Sequence, residues 1–327
     1  MEKRRLGNTD IEVSVVALGC WAIGGWQWGG TDDEKAVAAI RKALDVGMVF
    51  IDTAPIYGFG HSEKIVGKAI EGRRDEVVLA TKCGLVWDHE TRNFSFADKE
   101  GRAIYRDLTK GNVLKEAEDS LRRLKTDWID LYQCHRPDDT TPAEETMEAL
   151  NLLLAQGKIR AIGVSNFSAK QMEDFRKHGP VHSDQPRYSM LDREIEPEIL
   201  PYCRNHGMGV LAYSPLEQGI LTGKVTLDRK FPEDDYRIDR AWFQKKNLRR
   251  ALEFVEKLKP IAIAHGRSLA QLAINWVICQ DELMAPLVGA RNPQQVVENA
   301  GGADWRLTEE ELKLIDQYVE ELGPPEE

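Results

Sequence analysis

Cysteine is scarce and scattered. The five in 327 residues (Cys20, Cys83, Cys134, Cys203 and Cys279) form no Cys-x-x-Cys pair, which argues against a disulfide framework or a structural zinc. Positive charge is in deficit: 44 Lys and Arg against 54 Asp and Glu leave a net charge of −10. An acidic chain is a poor partner for a nucleic-acid polyanion or an anionic membrane surface. No apolar run approaches the ~18–20 residues of a membrane helix. Met1-Glu2-Lys3-Arg4-Arg5 leads into polar residues, not the apolar core of a signal peptide. A cytoplasmic protein with neither nucleic-acid nor membrane partner is expected. Also missing are a His-Glu-x-x-His metal site, a serine–histidine–acid order and a G-x-G-x-x-G fingerprint. Gly24-Gly25 and Gly29-Gly30 have the wrong spacing, and Gly58-Phe59-Gly60 lacks the third glycine.

What is present is a rhythm. Hydrophobic residues make up 42% of the chain, enough for a large core. Short β-branched runs at 13–18, 49–52, 77–82, 128–134, 159–164, 183–186, 209–213 and 285–289 predict eight strands. Amphipathic stretches at 31–46, 62–71, 111–124, 141–156, 168–177, 197–206 and 269–277 predict intervening helices. Thr31, Thr141 and Thr308, each with an acid three residues on, read as helix caps. Gly47, Gly157 and Gly207 fall where helices stop. Alternation of this kind means parallel βαβ units, and eight of them favour a closed (β/α)₈ TIM barrel over a doubly wound sheet. We expect a single domain over 1–327. More than fifty residues separate strand seven from the helix at Leu269, with an extra helix expected over 247–265. Either this insertion lies over the barrel mouth as a lid or it is a solvated surface loop. A C-terminal extra helix is expected over 308–322.

Barrel enzymes carry their chemistry at the C-terminal ends of strands. Those positions hold Asp52, Lys82 and His135, with Tyr57 just beyond strand two. Tyrosine, with a reference pKa near ~10, is a poor proton donor at neutral pH unless its phenolate is stabilised. A lysine beside it favours the phenolate, a carboxylate holds the lysine charged, and a neutral imidazole orients a carbonyl. A barrel glycosidase would need a second carboxylate on this rim, and none is visible beside Asp52.

The phrases Phe50-Ile51-Asp52-Thr53-Ala54-Pro55-Ile56-Tyr57-Gly58, Leu79-Ala80-Thr81-Lys82 and Ile129-Asp130-Leu131-Tyr132-Gln133-Cys134-His135 closely resemble signatures of the aldo-keto reductase family. So do Gly157 through Phe167, Tyr213-Ser214-Pro215-Leu216 and Gly289-Ala290-Arg291-Asn292-Pro293, in family order along essentially the whole chain. Trp21-Ala22-Ile23-Gly24-Gly25 and Tyr57 through Glu63 look most like the bacterial reductases grouped with general-stress and inositol-catabolism proteins.

The resemblance implies NADPH-dependent reduction of aldehydes or ketones to alcohols, acting on a small polar or sugar-like carbonyl. It implies a tetrad of Asp52, Tyr57, Lys82 and His135, with Tyr57 as proton donor. Ser165, Asn166 and Gln185 would hold the cofactor carboxamide, with Tyr213 stacked on the nicotinamide and Trp21 nearby. Ser214, Leu216, Gly219 and Lys224 would line the pyrophosphate, and Arg291, Gln295, Glu298 and Asn299 the adenosine end. Arg291 precedes a helix opened by Pro293, a natural place for a phosphate dianion. The other reading is a loop arginine paired with a carboxylate. A regulatory module like the channel β-subunits that share this resemblance is the alternative function, and the retained tetrad gives it no support.

Two features belong to the substrate side. Trp21, Trp26, Trp28 and Trp87 lie on mouth loops and are either lid packing or pocket walls. After His135 the family usually carries an aromatic before Pro, whereas this chain has Arg136-Pro137. Arg136 either points into the mouth or folds back onto Asp138 or Asp139 as a surface ion pair.

Overall fold

The computed structural model describes residues 1–281 and 284–326. Strands β1 (Lys3–Arg5) and β2 (Glu12–Ser14) pair as an antiparallel hairpin. The chain then runs β3 (Ala17–Gly19), α1 (Asp33–Asp45), β4 (Phe50–Asp52), α2 (His61–Ile70) and β5 (Val78–Cys83). A small antiparallel sheet of β6 (Leu85–Val86), β7 (Phe94–Ala97) and β8 (Ala103–Arg106) follows. Next come α3 (Lys110–Leu124), β9 (Ile129–Cys134), α4 (Ala143–Ala155), β10 (Ile159–Ser165), α5 (Ala169–Arg176) and β11 (Ser183–Gln185). The remainder is α6 (Ile199–Asn205), β12 (Gly209–Tyr213), α7 (Lys245–Ala264), α8 (Leu269–Gln280), β13 (Met284–Gly289), α9 (Pro293–Ala300) and α10 (Glu309–Leu322). Strands β3, β4, β5, β9, β10, β11, β12 and β13 close an all-parallel barrel in that order. The expected (β/α)₈ barrel is the fold.

Local chemistry explains the elements. β9 is buried along its whole length, as a parallel strand covered on both faces must be. In α3, Val113, Ala117, Leu121 and Leu124 form the buried stripe, the spacing of a helix that covers a sheet with one face. Inside the barrel, Ala17, Phe50, Ala80, Leu131, Ala161, Leu211 and Leu287 pack with Leu6, Ile11 and Val13 of the hairpin. The hairpin turn abuts the starts of β11 and β12, where Gly7 lies against the His182 carbonyl. It therefore stoppers the N-terminal end.

The structure corrects several boundaries. The expected strand 13–18 is two strands, because Ser14 turns aside: its hydroxyl donates to the Val16 carbonyl and accepts from the Phe50 amide. The first long helix is capped by Asp32, which accepts from the Lys35 amide, and not by Thr31. Thr141 caps nothing, since its hydroxyl donates to Asp138 and α4 starts without a side-chain cap. Thr308 does form the capping box with Glu311. Gly47, Gly157 and Gly207 all take positive φ. The sheet of β6, β7 and β8 was not anticipated, because Asn93-Phe94-Ser95-Phe96 sits among charged residues without a clear alternation.

The insertion after β12 is built from short 3₁₀ turns (Glu217–Thr222, Tyr236–Asp239, Ala241–Phe243) leading into α7. It crosses the mouth. The Tyr236 amide donates to the Gln27 carbonyl, and Lys99, beyond β7, donates to the carbonyls of Glu233 and Asp235. The solvated-loop reading is thereby set aside in favour of a strap tied to two rim loops, those after β3 and β7. No described helix is long and apolar enough to cross a membrane.

Candidate active site

Asp52 ends β4, Lys82 lies near the end of β5, and His135 follows β9, so adjacent strands carry three of the four expected groups. Tyr57 comes from the loop after β4. Two glycines set that loop against the loop after β3. Gly58, at φ 69°, lies so close to the Gly24 carbonyl that any Cβ would collide with it, and a Cβ on Gly24 would fall 2.6 Å from the Tyr57 carbonyl. Thr53 and Ser62 tie the base of the loop, with the Ser62 hydroxyl 2.9 Å from the Cys20 carbonyl.

The Lys82 side chain is fully buried, and each of its three ammonium protons has a partner. Nζ donates to Asp52 Oδ1 at 2.6 Å, to the Thr53 carbonyl at 3.0 Å and to the Tyr57 hydroxyl at 3.2 Å. Burial works against the ammonium, but Asp52 and then Tyr57 outweigh it and carry its pKa above the usual lysine value. The second oxygen of Asp52 accepts from the amides of Gln185 (2.8 Å) and Gln133 (3.2 Å). Sequence reasoning missed Gln133. Its only signal was a polar residue inside a strand otherwise rich in apolar side chains.

The expected lowering of the Tyr57 pKa is corrected. Burial dominates and pushes it up to about 12, with the Lys82 charge opposing that rise. His135 is held well below the usual histidine value by burial, with the Lys82 and Arg136 charges pushing the same way. It is therefore a neutral imidazole, its ring edge-on to Tyr57 at 5.8 Å.

The rim beside the tetrad is polar and interlocked. The Ser165 hydroxyl donates to the Gln185 carbonyl at 2.7 Å, the Asn166 amide nitrogen to Ser165 Oγ at 2.8 Å, and the Tyr213 hydroxyl to Asn166 Oδ1 at 2.8 Å. Beyond Tyr213 the backbone is left-handed at Ser214, Glu217, Gln218 and Gly219 (φ 58°, 44°, 47° and 106°). Leu216 is half-buried here. Further round the rim, Lys224 pairs with Glu298 at 2.8 Å, and the Asn299 amide donates to the Gly289 carbonyl. Gln295 accepts from the Arg291 amide at 2.7 Å. The Arg291 guanidinium meets no carboxylate among the described residues. It donates to the carbonyls of Trp28 (3.2 Å) and Gly30, which corrects the carboxylate-pair reading.

The tryptophans divide. Trp21 stacks near Tyr57, with centroids 6.1 Å apart, and meets Trp28 and Tyr236 edge-on at 5.4 and 5.0 Å. Trp26 and Trp87 pack on Phe59, and Trp26 Nε1 donates to Asp98. Trp21 thus lines the wall by Tyr57, while Trp26 and Trp87 support the loops. Arg136 does not fold back. Asp138 is engaged by Asn93, Thr140, Thr141 and the Leu108 amide, and Asp139 by Gln171.

This mouth is lined by polar groups from several loops. Gln218 Oε1, Trp21 Nε1, Trp28 Nε1 and Arg240 Nε are buried around it without hydrogen-bond partners among the described residues. A Cβ on Gly219 would meet nothing nearer than 3.8 Å, so the backbone there is open to close approach.

Comparison with known proteins bears on the family and the fold. Residues 15–320 match the model described as "Aldo/keto reductase family". The aldo-keto reductase YhdN of Bacillus subtilis (strain 168) is 43% identical over 323 residues, 98% of this chain and 94% of its own. The NADH-specific methylglyoxal reductase of Escherichia coli (strain K12) is 39% identical over 329 residues, covering 98% and 99%. The solved glycerol dehydrogenase from Gluconobacter oxydans superposes with a TM-score of 0.89 at 43% identity, covering 99% of this chain and 97% of that one.

Proposed function

The chain belongs to the aldo/keto reductase family, oxidoreductases that act on carbonyls with a nicotinamide cofactor, and from that premise we propose that it reduces a small polar aldehyde or ketone with NADPH, Tyr57 donating the proton. One observation carries the reading: the buried Lys82 spends all three of its protons on Asp52, the Thr53 carbonyl and the Tyr57 oxygen.

The bound reduced cofactor supplies hydride to the carbonyl carbon. Ser165, Asn166 and Gln185 would hold its carboxamide and Tyr213 its ring face, with Ser214, Leu216, Gly219 and Lys224 along the diphosphate. Arg291, Gln295, Glu298 and Asn299 would meet the adenosine end. The fit rests on the unpartnered buried atoms and the open backbone at Gly219.

Because the Tyr57 oxygen accepts from Lys82, its own O–H is free to point at the carbonyl oxygen. As negative charge develops on that oxygen, an alkoxide more basic than a phenolate, Tyr57 gives up its proton. Lys82 then faces a phenolate, and the pairing strengthens at the moment charge appears. Asp52 keeps Lys82 charged, and Gln133 and Gln185 keep Asp52 in place. Neutral His135 offers an N–H to orient the carbonyl without adding a second cation.

The test is aldehyde-dependent oxidation of NADPH and of NADH over a panel of aldehydes, by wild type and Tyr57→Phe. Replacement should reduce kcat by several orders of magnitude while cofactor affinity barely changes, because the phenol acts in the transition state. Turnover above a tenth of wild type would remove Tyr57 from the role. A preference for NADH, as the name of the Escherichia coli relative states for that protein, would overturn the NADPH assignment alone.

A further inference from the structure

In a chain with a net charge of −10, the active-site mouth holds surplus positive charge. Three arginines from separate segments surround Tyr213. Arg136 follows His135 directly, Arg187 pairs with Tyr213 across the β11–β12 edge, and Arg240 comes from the strap. Arg187 is neutralised, with Nε 2.9 Å from Asp192 and a further bond to Glu217.

The other two form no ion pair among the described residues, although Glu217, already bonded to Arg187, also acts on Arg240 from a distance. Arg240 lies over the Tyr236 ring, with its guanidinium carbon 3.8 Å from the centroid, and its Nε is buried without a hydrogen-bond partner among the described residues. Arg136 is half-buried and forms no hydrogen bond or ion pair among the described residues. The crowding registers on Arg240, whose pKa is lowered to about 10 by burial first and Arg187 next, with Arg136 adding to the effect. The same arginines act on the Tyr213 phenol against the effect of its burial. Tyr236 in turn packs on Trp21, and Trp21 on Tyr57, so Arg240 joins the wall beside the proton donor through two rings, while Arg136 follows His135 directly in the chain. Half-buried cations without a paired carboxylate are a favourable place for an anion that completes them.

We propose that the substrate is a small carbonyl compound with an anionic group, carboxylate or phosphate, held between Arg136 and Arg240 while its carbonyl meets Tyr57. This rests on the reductase reading above and narrows its substrate class. The cofactor's diphosphate could supply the same anionic chemistry. Arg136 favours the substrate, because it adjoins His135, and the expected diphosphate contacts lie beyond Tyr213 at Gly219 and Lys224.

Succinic semialdehyde and butanal have equal chain length and differ by a terminal carboxylate, so the ratio of their kcat/KM values reads the anion site. Wild type should favour succinic semialdehyde by on the order of tenfold or more, the size of one charge-assisted bond. Added salt should erode that preference. Succinate should inhibit competitively against either aldehyde. Arg136→Gln and Arg240→Gln should each lower the ratio by about tenfold, mainly through KM, and Arg136→Lys should keep most of it.

A wild-type ratio near one, or no inhibition by succinate, overturns the proposal without recourse to any variant. So does an unchanged ratio in both glutamine variants. If those variants weaken NADPH binding, read by quenching of protein fluorescence, as much as they raise KM, the anion is the cofactor's and the proposal falls. Failure to turn over every aldehyde tested would instead overturn the reductase reading itself.

Discussion

Removing one member of the Lys82–Asp52 pair should be worse for the fold than removing the charge of both. Both side chains are almost wholly inaccessible, at 0% and 3% of full exposure, and 2.6 Å apart. Lys82→Met deletes the ammonium and leaves the Asp52 carboxylate inside the barrel with only the Gln133 and Gln185 amides. Breaking a buried pair in this way costs about 3–5 kcal/mol. At roughly 2.1 cal/mol/K of unfolding entropy per residue, that lowers Tm by roughly 4–7 °C for a chain of this length. Adding Asp52→Asn removes the stranded charge and leaves an amide among amides. The double variant should therefore recover at least half of the lost stability, although it carries more changes. Activity should not recover, since Tyr57 still lacks its cation. The assay is urea and thermal unfolding of wild type, both single variants and the double variant, alongside aldehyde-dependent NADPH oxidation. A double variant no more stable than Lys82→Met would refute the claim that the pair is held by mutual neutralisation. Recovery of turnover would refute the role of Lys82.

Other outcomes follow from the same geometry. With its pKa pushed up to about 12 by burial, Tyr57 in the cofactor-free protein should stay a phenol through ordinary alkaline pH. The ultraviolet difference between wild type and Tyr57→Phe should show no phenolate below about pH 10, and a signal at pH 8 would contradict the burial argument. Arg291→Ala should weaken NADPH by about one to two decades in Kd and spare NADH. Equal loss for both would mean that the arginine acts through the Trp28 and Gly30 carbonyls it holds. Gly58→Ala should destabilise by roughly 1–3 kcal/mol, read by urea unfolding, because its Cβ has no room against Gly24. A neutral result would show that the two loops separate easily.

The barrel was legible because period and punctuation agree: buried β-branched runs, amphipathic helices and glycines at helix ends repeat the same unit. Asp52, Lys82 and His135 were legible for a related reason, since a parallel barrel delivers every strand end to one rim. What failed was local. Ser14 breaks an apolar run through hydrogen bonds to Val16 and Phe50, and such tertiary partners have no signature in the run itself. Lysine beside tyrosine suggested a lowered phenol pKa, but desolvation outweighs a neighbouring charge once both are buried, and burial depth cannot be read from adjacency. Arg136 could not be placed from its own surroundings in sequence, because the nearby Asp138 is claimed by Asn93 from 45 residues away as well as by the adjacent Thr140 and Thr141.

The hairpin of β1 and β2 turns the barrel into a flask. Leu6, Ile11 and Val13 cork its base, and apolar side chains fill the interior below Lys82. On the proposed mechanism, each proton that Tyr57 gives away would have to be replaced down the same neck through which the alcohol leaves and the next carbonyl enters. Reprotonation and product exit therefore share one corridor, roofed by the strap at Tyr236. Anything that slows the traffic there slows both.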